Sequence, residues 1–215
     1  MPMRKAIIVG LTGQTGAGKS VVAEELKKYG YGVVDADSVA HLVTEKGSPI
    51  LPRLSENFGP DIIKEDGTLD RELLALRAFS NPAYTKMLND ITHPEICRLI
   101  LKKVNGLFFN GYEAAIIDAP QLFESKLSYD CNYIISVVAS DEIRLNRIIE
   151  RDELSPEEAR NRMSAQLSED YFRQNSDYII ENDGSLDELR KQVRSVARII
   201  EEKISGEIIL DNMEE

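Results

Sequence analysis

The chain has 215 residues, 42% of them hydrophobic and 29% charged, with a formal net charge of −11. That length suits one α/β domain with a small insertion. The acidity excludes a protein that wraps nucleic acid or adheres to anionic lipid, since both need clustered Lys and Arg. Cys97 and Cys131 make neither a disulfide framework nor a zinc pattern, and both are expected as small buried hydrophobes. Arg4 and Lys5 precede an apolar run too short for a signal-peptide core, and no later run reaches membrane-span length. A cytoplasmic protein is expected, acting as a monomer.

In chain order, Ala6-Ile7-Ile8-Val9 reads as a buried strand, and Val21 to Lys28 as a helix stopped by Gly30. Between them, Gly13-Gln14-Thr15-Gly16-Ala17-Gly18-Lys19-Ser20 matches G-x-x-x-x-G-K-[ST], the phosphate-binding loop. Glycines let the backbone wrap an anion, the helix start adds unpaired donors, Lys19 brings a charge to the β and γ phosphates, and the Ser20 hydroxyl can ligate Mg²⁺. ATP and Mg²⁺ are the expected cofactors. Residues 31–35 form a second strand, placed beside the phosphate-loop strand, and Ser38 is expected to cap a short helix stopped by Gly47.

Residues 48–111 are mainly helical. Ile50, Leu51, Leu54 and Phe58 share a face. Asp70 starts a helix with Leu73, Leu74, Leu76 and Phe79 inside. Asn81-Pro82 starts another, His93-Pro94 punctuates it, and residues 96–104 form one more, ending at Gly106. This is a helical insertion between core segments 1–47 and 112–215. Residues 113–118, 133–138 and 178–180 read as strands. Asp141 is expected to cap a helix with Ile143, Leu145, Ile148 and Ile149 inward. Ser155-Pro156-Glu157-Glu158 is a capping box, and Ser185 caps a long last helix before a short acidic tail. Strands alternating with helices give an α/β fold, a five-stranded parallel sheet covered on both faces, with ligands beyond the C-terminal strand ends. The loop, Asp37 and Asp118 all fall at such ends.

A carboxylate there can take the proton of an acceptor hydroxyl during phosphoryl transfer. Asp37 is the first candidate; the alternatives are that it only caps the following helix, or that Asp35, two residues away, is the active carboxylate. Asp118 ends its strand in the manner of a metal-binding aspartate, or of a turn residue. Arg144, Arg147 and Arg151 recur at helical spacing, with Arg162 in the next helix; they either clamp phosphates or form a solvated face. Residues 151–168 are hydrophilic enough for a lid. His93 reads as a cap or packing residue with no proton-transfer role, and Phe123 as a core or pocket wall.

Five pieces carry a family resemblance: Gly10-Leu11-Thr12-Gly13 with the loop; Val34-Asp35-Ala36-Asp37 with His41-Leu42; His93-Pro94; Pro120-x-Leu122-Phe123-Glu124; and Arg147…Arg151-Asp152…Arg162…Gln166 with Ile180-Glu181-Asn182-x-Gly184. The chain resembles the dephospho-CoA kinases, P-loop small-molecule kinases. The resemblance implies a nucleotide-binding core, a helical part that holds the CoA moiety, and a lid. It implies transfer of the ATP γ-phosphoryl group to the ribose 3′-hydroxyl of dephospho-CoA. Asp37 becomes the base, with Lys19 and Arg151 catalytic. Gly13, Gly16, Ala17, Gly18, Lys19, Ser20, Val21, Arg147, Arg162, Asn182 and Gly184 face ATP, the last two near adenine. Thr12, Asp37, His93, Leu122, Phe123 and Glu124 face the acceptor, and Ser20 and Asp118 the metal. Gln14-Thr15 departs from the frequent Gly-Ile, Val21 from threonine, and Gln121 from leucine. The rival readings are a P-loop kinase for a nucleoside, nucleotide or shikimate, and a GTPase switch, which the missing Asn-Lys-x-Asp element opposes.

Overall fold

A computed structural model describes residues 6–206. Arg4, Lys5 and the acidic tail 207–215 lie outside the described residues. Five strands, β1 (Ile7–Gly13), β2 (Gly32–Asp35), β3 (Ala114–Asp118), β4 (Tyr133–Val138) and β5 (Tyr178–Glu181), form one sheet in the order β2-β3-β1-β4-β5. β1 runs parallel to both neighbours, with Val9 opposite Ile116 of β3 and Tyr133 of β4. Strands flanked on both sides and covered on both faces read as continuous apolar runs, as these do.

The expected adjacency of β2 and β1 is incorrect: β3 lies between them. Ala115, Ile116 and Ile117 of β3 are fully buried, which suits an interior strand. β2 has only four residues and ends on an exposed carboxylate, which suits the edge.

The helices are α1 (Lys19–Lys27), α2 (Ala36–Leu42), α3 (Leu51–Phe58), α4 (Arg71–Ala78), α5 (Pro82–Phe109), α6 (Asp141–Asp152), α7 (Pro156–Ser164), α8 (Glu169–Gln174) and α9 (Leu186–Ser205). Val22, Ala23 and Leu26 of α1 and Leu189, Val193, Ala197 and Ile200 of α9 pack with Val9, Leu11, Ile135 and Ile180 of the sheet. Tyr31 donates its hydroxyl to the Ala197 carbonyl at 2.9 Å, fixing α9 from below. The capping boxes at Ser155–Glu158 and Ser185–Glu188 start α7 and α9 as expected.

The chain divides into two compact units. One comprises residues up to 34 and from 104 onward, and the other residues 35–103. These bounds differ from the insertion expected at 48–111, and both Asp35 and Asp37 fall in the second unit. That unit has its own core of Val43, Ile50, Leu54, Phe58, Ile62, Leu74 and Ile91. Leu76 and Phe79, expected inside, are 73% and 65% exposed. His93-Pro94 does not end a helix either. α5 runs for 28 residues with Pro94 inside it. An interior proline costs about 3 kcal/mol. Burial of Ile91 before it and Ile100 and Val104 after it holds the two halves in one helix. No described helix is long and apolar enough to cross a membrane.

Candidate active site

The loop leaves the C-terminal end of β1 and feeds α1. Gly18 stands before α1 in the left-handed region, at φ 96°. A Cβ there would lie 2.2 Å from Asn182 Nδ2, so side-chain room and backbone angle both demand glycine. Gly16 (φ 78°) meets the same double constraint against the Arg144 carbonyl, 2.7 Å from its would-be Cβ. The loop is therefore moulded on its neighbours. Asn182, which follows β5 and is buried, donates Nδ2 to the Ala17 carbonyl at 2.7 Å. Arg147 of α6 donates to the Gly16 carbonyl at 3.3 Å and to the Asn182 carbonyl at 3.0 Å. Turning these carbonyls outward to side chains is what allows successive amides to face inward. Several amides of the loop region are committed elsewhere: Gln14 N–H to the Val137 carbonyl, Thr15 N–H to Gln166 Oε1, Ala17 N–H to the Gln14 carbonyl, and Val21 N–H to that of Gly18.

Lys19 forms an ion pair with Asp118 at the end of β3. Both side chains are largely buried, at 16% and 13% exposure. Ser20 is exposed beside Lys19 at the start of α1. Thr12 is fully buried and donates its hydroxyl to the Pro120 carbonyl at 3.2 Å, while Ala119 N–H donates to the Leu11 carbonyl. The segment after β3 is thereby tied to β1. Leu122 is also fully buried, and it and Thr12 support the segment that carries Phe123 and Glu124. Phe123 meets the Tyr171 ring edge-on at 5.4 Å and Phe172 at 5.8 Å, so it packs on α8. Glu124 is exposed, and partial desolvation of its carboxyl raises its pKa.

The three arginines of α6 do not share one role. Arg144 is buried. It donates Nε to the Thr15 carbonyl at 3.0 Å and Nη1 to Asp141 at 3.1 Å. Burial lowers its pKa against the opposing pull of Asp141 and Glu169. Its Nη2, like the buried Gln14 Oε1, has no hydrogen-bond partner among the described residues. Arg147 holds the loop from outside. Only Arg151 is exposed, in a two-point contact with Asp152 at 2.8 and 2.7 Å. Arg162 of α7 reaches the same carboxylate at 2.7 Å. These contacts, Arg151 first, hold the Asp152 carboxyl below its usual pKa. The expected cap at Asp141 is instead the first helical residue. Ser140 precedes it, with its N–H donated to Asp183.

In the second unit, Asp35 and not Ser38 caps α2. Asp35 accepts from the Asp37 N–H at 3.0 Å and from the Ser38 hydroxyl at 2.5 Å. Asp37 is exposed in the first turn, and its carboxylate has no hydrogen bond or ion pair among the described residues. That answers the alternative in which Asp37 is the cap. His93 sits within α5, where burial pushes its imidazole pKa down and Asp90 partly offsets this. Cys131 is half-buried, and burial pushes its thiol up to about 12, so it is no nucleophile. No cluster of three or more His, Cys, Asp or Glu residues could hold a metal among the described residues.

A parallel sheet in this order, with a lysine-bearing phosphate loop on its central strand, defines a P-loop kinase fold. The chain belongs to the dephospho-CoA kinase family, whose model matches residues 7–188. It is 38% identical to a dephospho-CoA kinase of Corynebacterium glutamicum, over 87% of this chain and 96% of that one. It is 37% identical to the dephospho-CoA kinase CAB5 of Saccharomyces cerevisiae, over 91% and 83%. Among solved structures, TT1252 from Thermus thermophilus superposes with a TM-score of 0.77 at 33% identity, covering 91% of this chain and 98% of that one. Dephospho-CoA kinase from Campylobacter jejuni gives 0.68 at 26%, covering 94% and 98%.

Arg151 and Arg162 both contact the one carboxylate of Asp152 at the junction of α6 and α7. Charge that builds on a transferring phosphoryl group is met by such guanidiniums chiefly in the transition state. Arg151→Ala and Arg162→Ala should each lower kcat by about 10²-fold, the scale of one lost transition-state donor, with little change in acceptor KM. Steady-state kinetics check this, and variants that raise only acceptor KM would refute the clamp.

Proposed function

We propose that the protein transfers the γ-phosphoryl group of ATP to the ribose 3′-hydroxyl of dephospho-CoA, giving coenzyme A and ADP, the last step of coenzyme A synthesis. The observation that carries this reading is the loop-borne Lys19 held against Asp118 at the carboxyl end of a parallel sheet, in a chain matched by the dephospho-CoA kinase model over residues 7–188. Lys19 and the loop amides bind the β and γ phosphates. Asp37, whose carboxylate holds no side-chain partner among the described residues, takes the acceptor proton, and Arg151 and Arg162 meet the charge on the phosphoryl group in flight. The Ser20 hydroxyl and Asp118 carboxylate are hard oxygen donors of the kind Mg²⁺ takes, and they would hold that ion, which when bound neutralises phosphate charge. Asp37, His93, Phe123 and Glu124 face the acceptor, Asn182 and Gly184 border adenine, and the helical segment 48–111 grips the CoA arm. Residues 151–168 act as the lid, in a cytoplasmic monomer.

Turnover of ATP with dephospho-CoA, adenosine and AMP as alternative acceptors tests the assignment. Binding energy from the non-reacting pantetheine arm orients the 3′-hydroxyl, so truncated acceptors lose kcat as well as affinity. Dephospho-CoA should exceed adenosine and AMP in kcat/KM by about 10²-fold or more. Equal values would assign the protein to nucleoside phosphorylation instead.

A further inference from the structure

The Thr15 peptide is gripped on both of its polar groups. Arg144 of α6 holds its carbonyl at 3.0 Å, and Gln166 accepts its N–H at 2.7 Å through Oε1. Thr15 lies inside the phosphate loop. Gln166 lies just past the C-terminal end of α7, where its own N–H closes the last turn onto the Met163 carbonyl. α7 is fastened at its other contact by Arg162 to Asp152, the last residue of α6. The segment 151–168 thus spans from the α6 terminus, carrying both exposed arginines, to a side chain seated directly on a loop amide.

We propose that Gln166 is a positioning residue whose bond to the Thr15 amide couples the seat of segment 151–168 to the shape of the phosphate loop. The chemistry suits the task. A loop built to present donors to anions would orient Thr15 N–H equally well toward solvent or toward phosphate. A neutral amide oxygen fixes that donor without placing a negative charge beside the nucleotide. Because Arg144 holds the other side of the same peptide, this peptide cannot rotate without breaking one of the two bonds. When phosphates fill the loop and order it, the bond to Gln166 is strengthened, and the arginines of 151–168 are drawn toward the reacting groups. By linkage, a segment seated on Thr15 favours the loop conformation that binds nucleotide. This inference rests on the kinase reading for its effect on kcat, but its structural part does not.

The test uses two variants of the full chain. Gln166→Met keeps length and removes the acceptor. Gln166→Glu keeps an acceptor and adds charge. Amide exchange at Thr15, followed by NMR without nucleotide, should quicken by about tenfold in Gln166→Met and stay near wild type in Gln166→Glu. ATP should slow exchange across 153–165 in the wild type, and this protection should be lost in Gln166→Met. In kinetics, Gln166→Met should lower kcat about tenfold while KM for ATP moves less than threefold. Gln166→Glu should chiefly weaken ATP, through the carboxylate near the phosphates. Unchanged Thr15 exchange in Gln166→Met overturns the proposal whatever the activity. So does a segment that ATP protects equally in wild type and Gln166→Met. A wild type without dephospho-CoA kinase activity would instead overturn the functional reading and leave the exchange measurements to decide the coupling.

Discussion

Lys19→Ala should abolish turnover, with kcat reduced roughly 10³-fold or more, because the loop lysine meets developing phosphate charge directly. The structure adds a second consequence that the loop motif alone does not contain. Lys19 is paired with Asp118, and both are largely buried. Removing the ammonium leaves the Asp118 carboxylate without its cation in a poorly solvated position, a loss of about 1–3 kcal/mol. For a chain of this length that lowers Tm by several degrees. Lys19→Ala combined with Asp118→Asn should therefore regain most of the lost stability and none of the activity. Thermal denaturation and steady-state kinetics on the same samples separate the two effects. Near-normal kcat in Lys19→Ala would show that phosphates are not held in this loop. A single variant as stable as wild type would show that the ion pair contributes nothing to folding.

What was legible in the sequence follows from where information is local. The strand-loop-helix around Gly13 to Ser20 and the apolar runs of β3 and β4 are written in consecutive residues, and so are the capping boxes of α7 and α9. All of them stand as expected. Sheet order is not local. Nothing in residues 31–35 says that β3 will intervene between them and β1. Pro94 is a strong local breaker, yet it lies inside one helix because packing before and after it outweighs the lost hydrogen bond. α8 is six residues long, too short to show a period, and it is the helix that packs on Phe123.

The arginines of α6 show the same limit within the site. Spacing of three and four puts Arg144, Arg147 and Arg151 near one stripe, but not what lies against that stripe. Packing against the loop turns Arg144 into a buried brace of Thr15 and Arg147 into a brace of Gly16 and Asn182. Only the third stays open to a ligand. Asn182, expected beside adenine, is likewise occupied in shaping the loop. Residues that hold a phosphate loop in shape and residues that touch phosphate are the same chemical types, so composition does not separate them, and contacts do.

Asp37→Asn should lower kcat by roughly 10²–10⁴-fold, the range of a lost general base, while ATP affinity barely changes. The substitution keeps size and removes the proton acceptor. The capping geometry makes the experiment discriminating. Asp35 accepts from the Asp37 N–H and the Ser38 hydroxyl and so starts α2, whereas the Asp37 carboxylate supports no bond of the helix. Asp37→Asn should therefore leave Tm within about a degree of wild type, as for an exposed residue outside any structural contact. Asp35→Ala should behave in the opposite way, costing about 1 kcal/mol of cap stability with its kcat loss confined to whatever the frayed helix displaces. Asp35→Asn, which caps nearly as well, should keep both stability and activity. Loss of kcat in Asp35→Asn with Asp37→Asn active would exchange the two roles. Retention of most activity in both would mean that transfer relies on positioning and charge alone, which a loose, metaphosphate-like transition state permits.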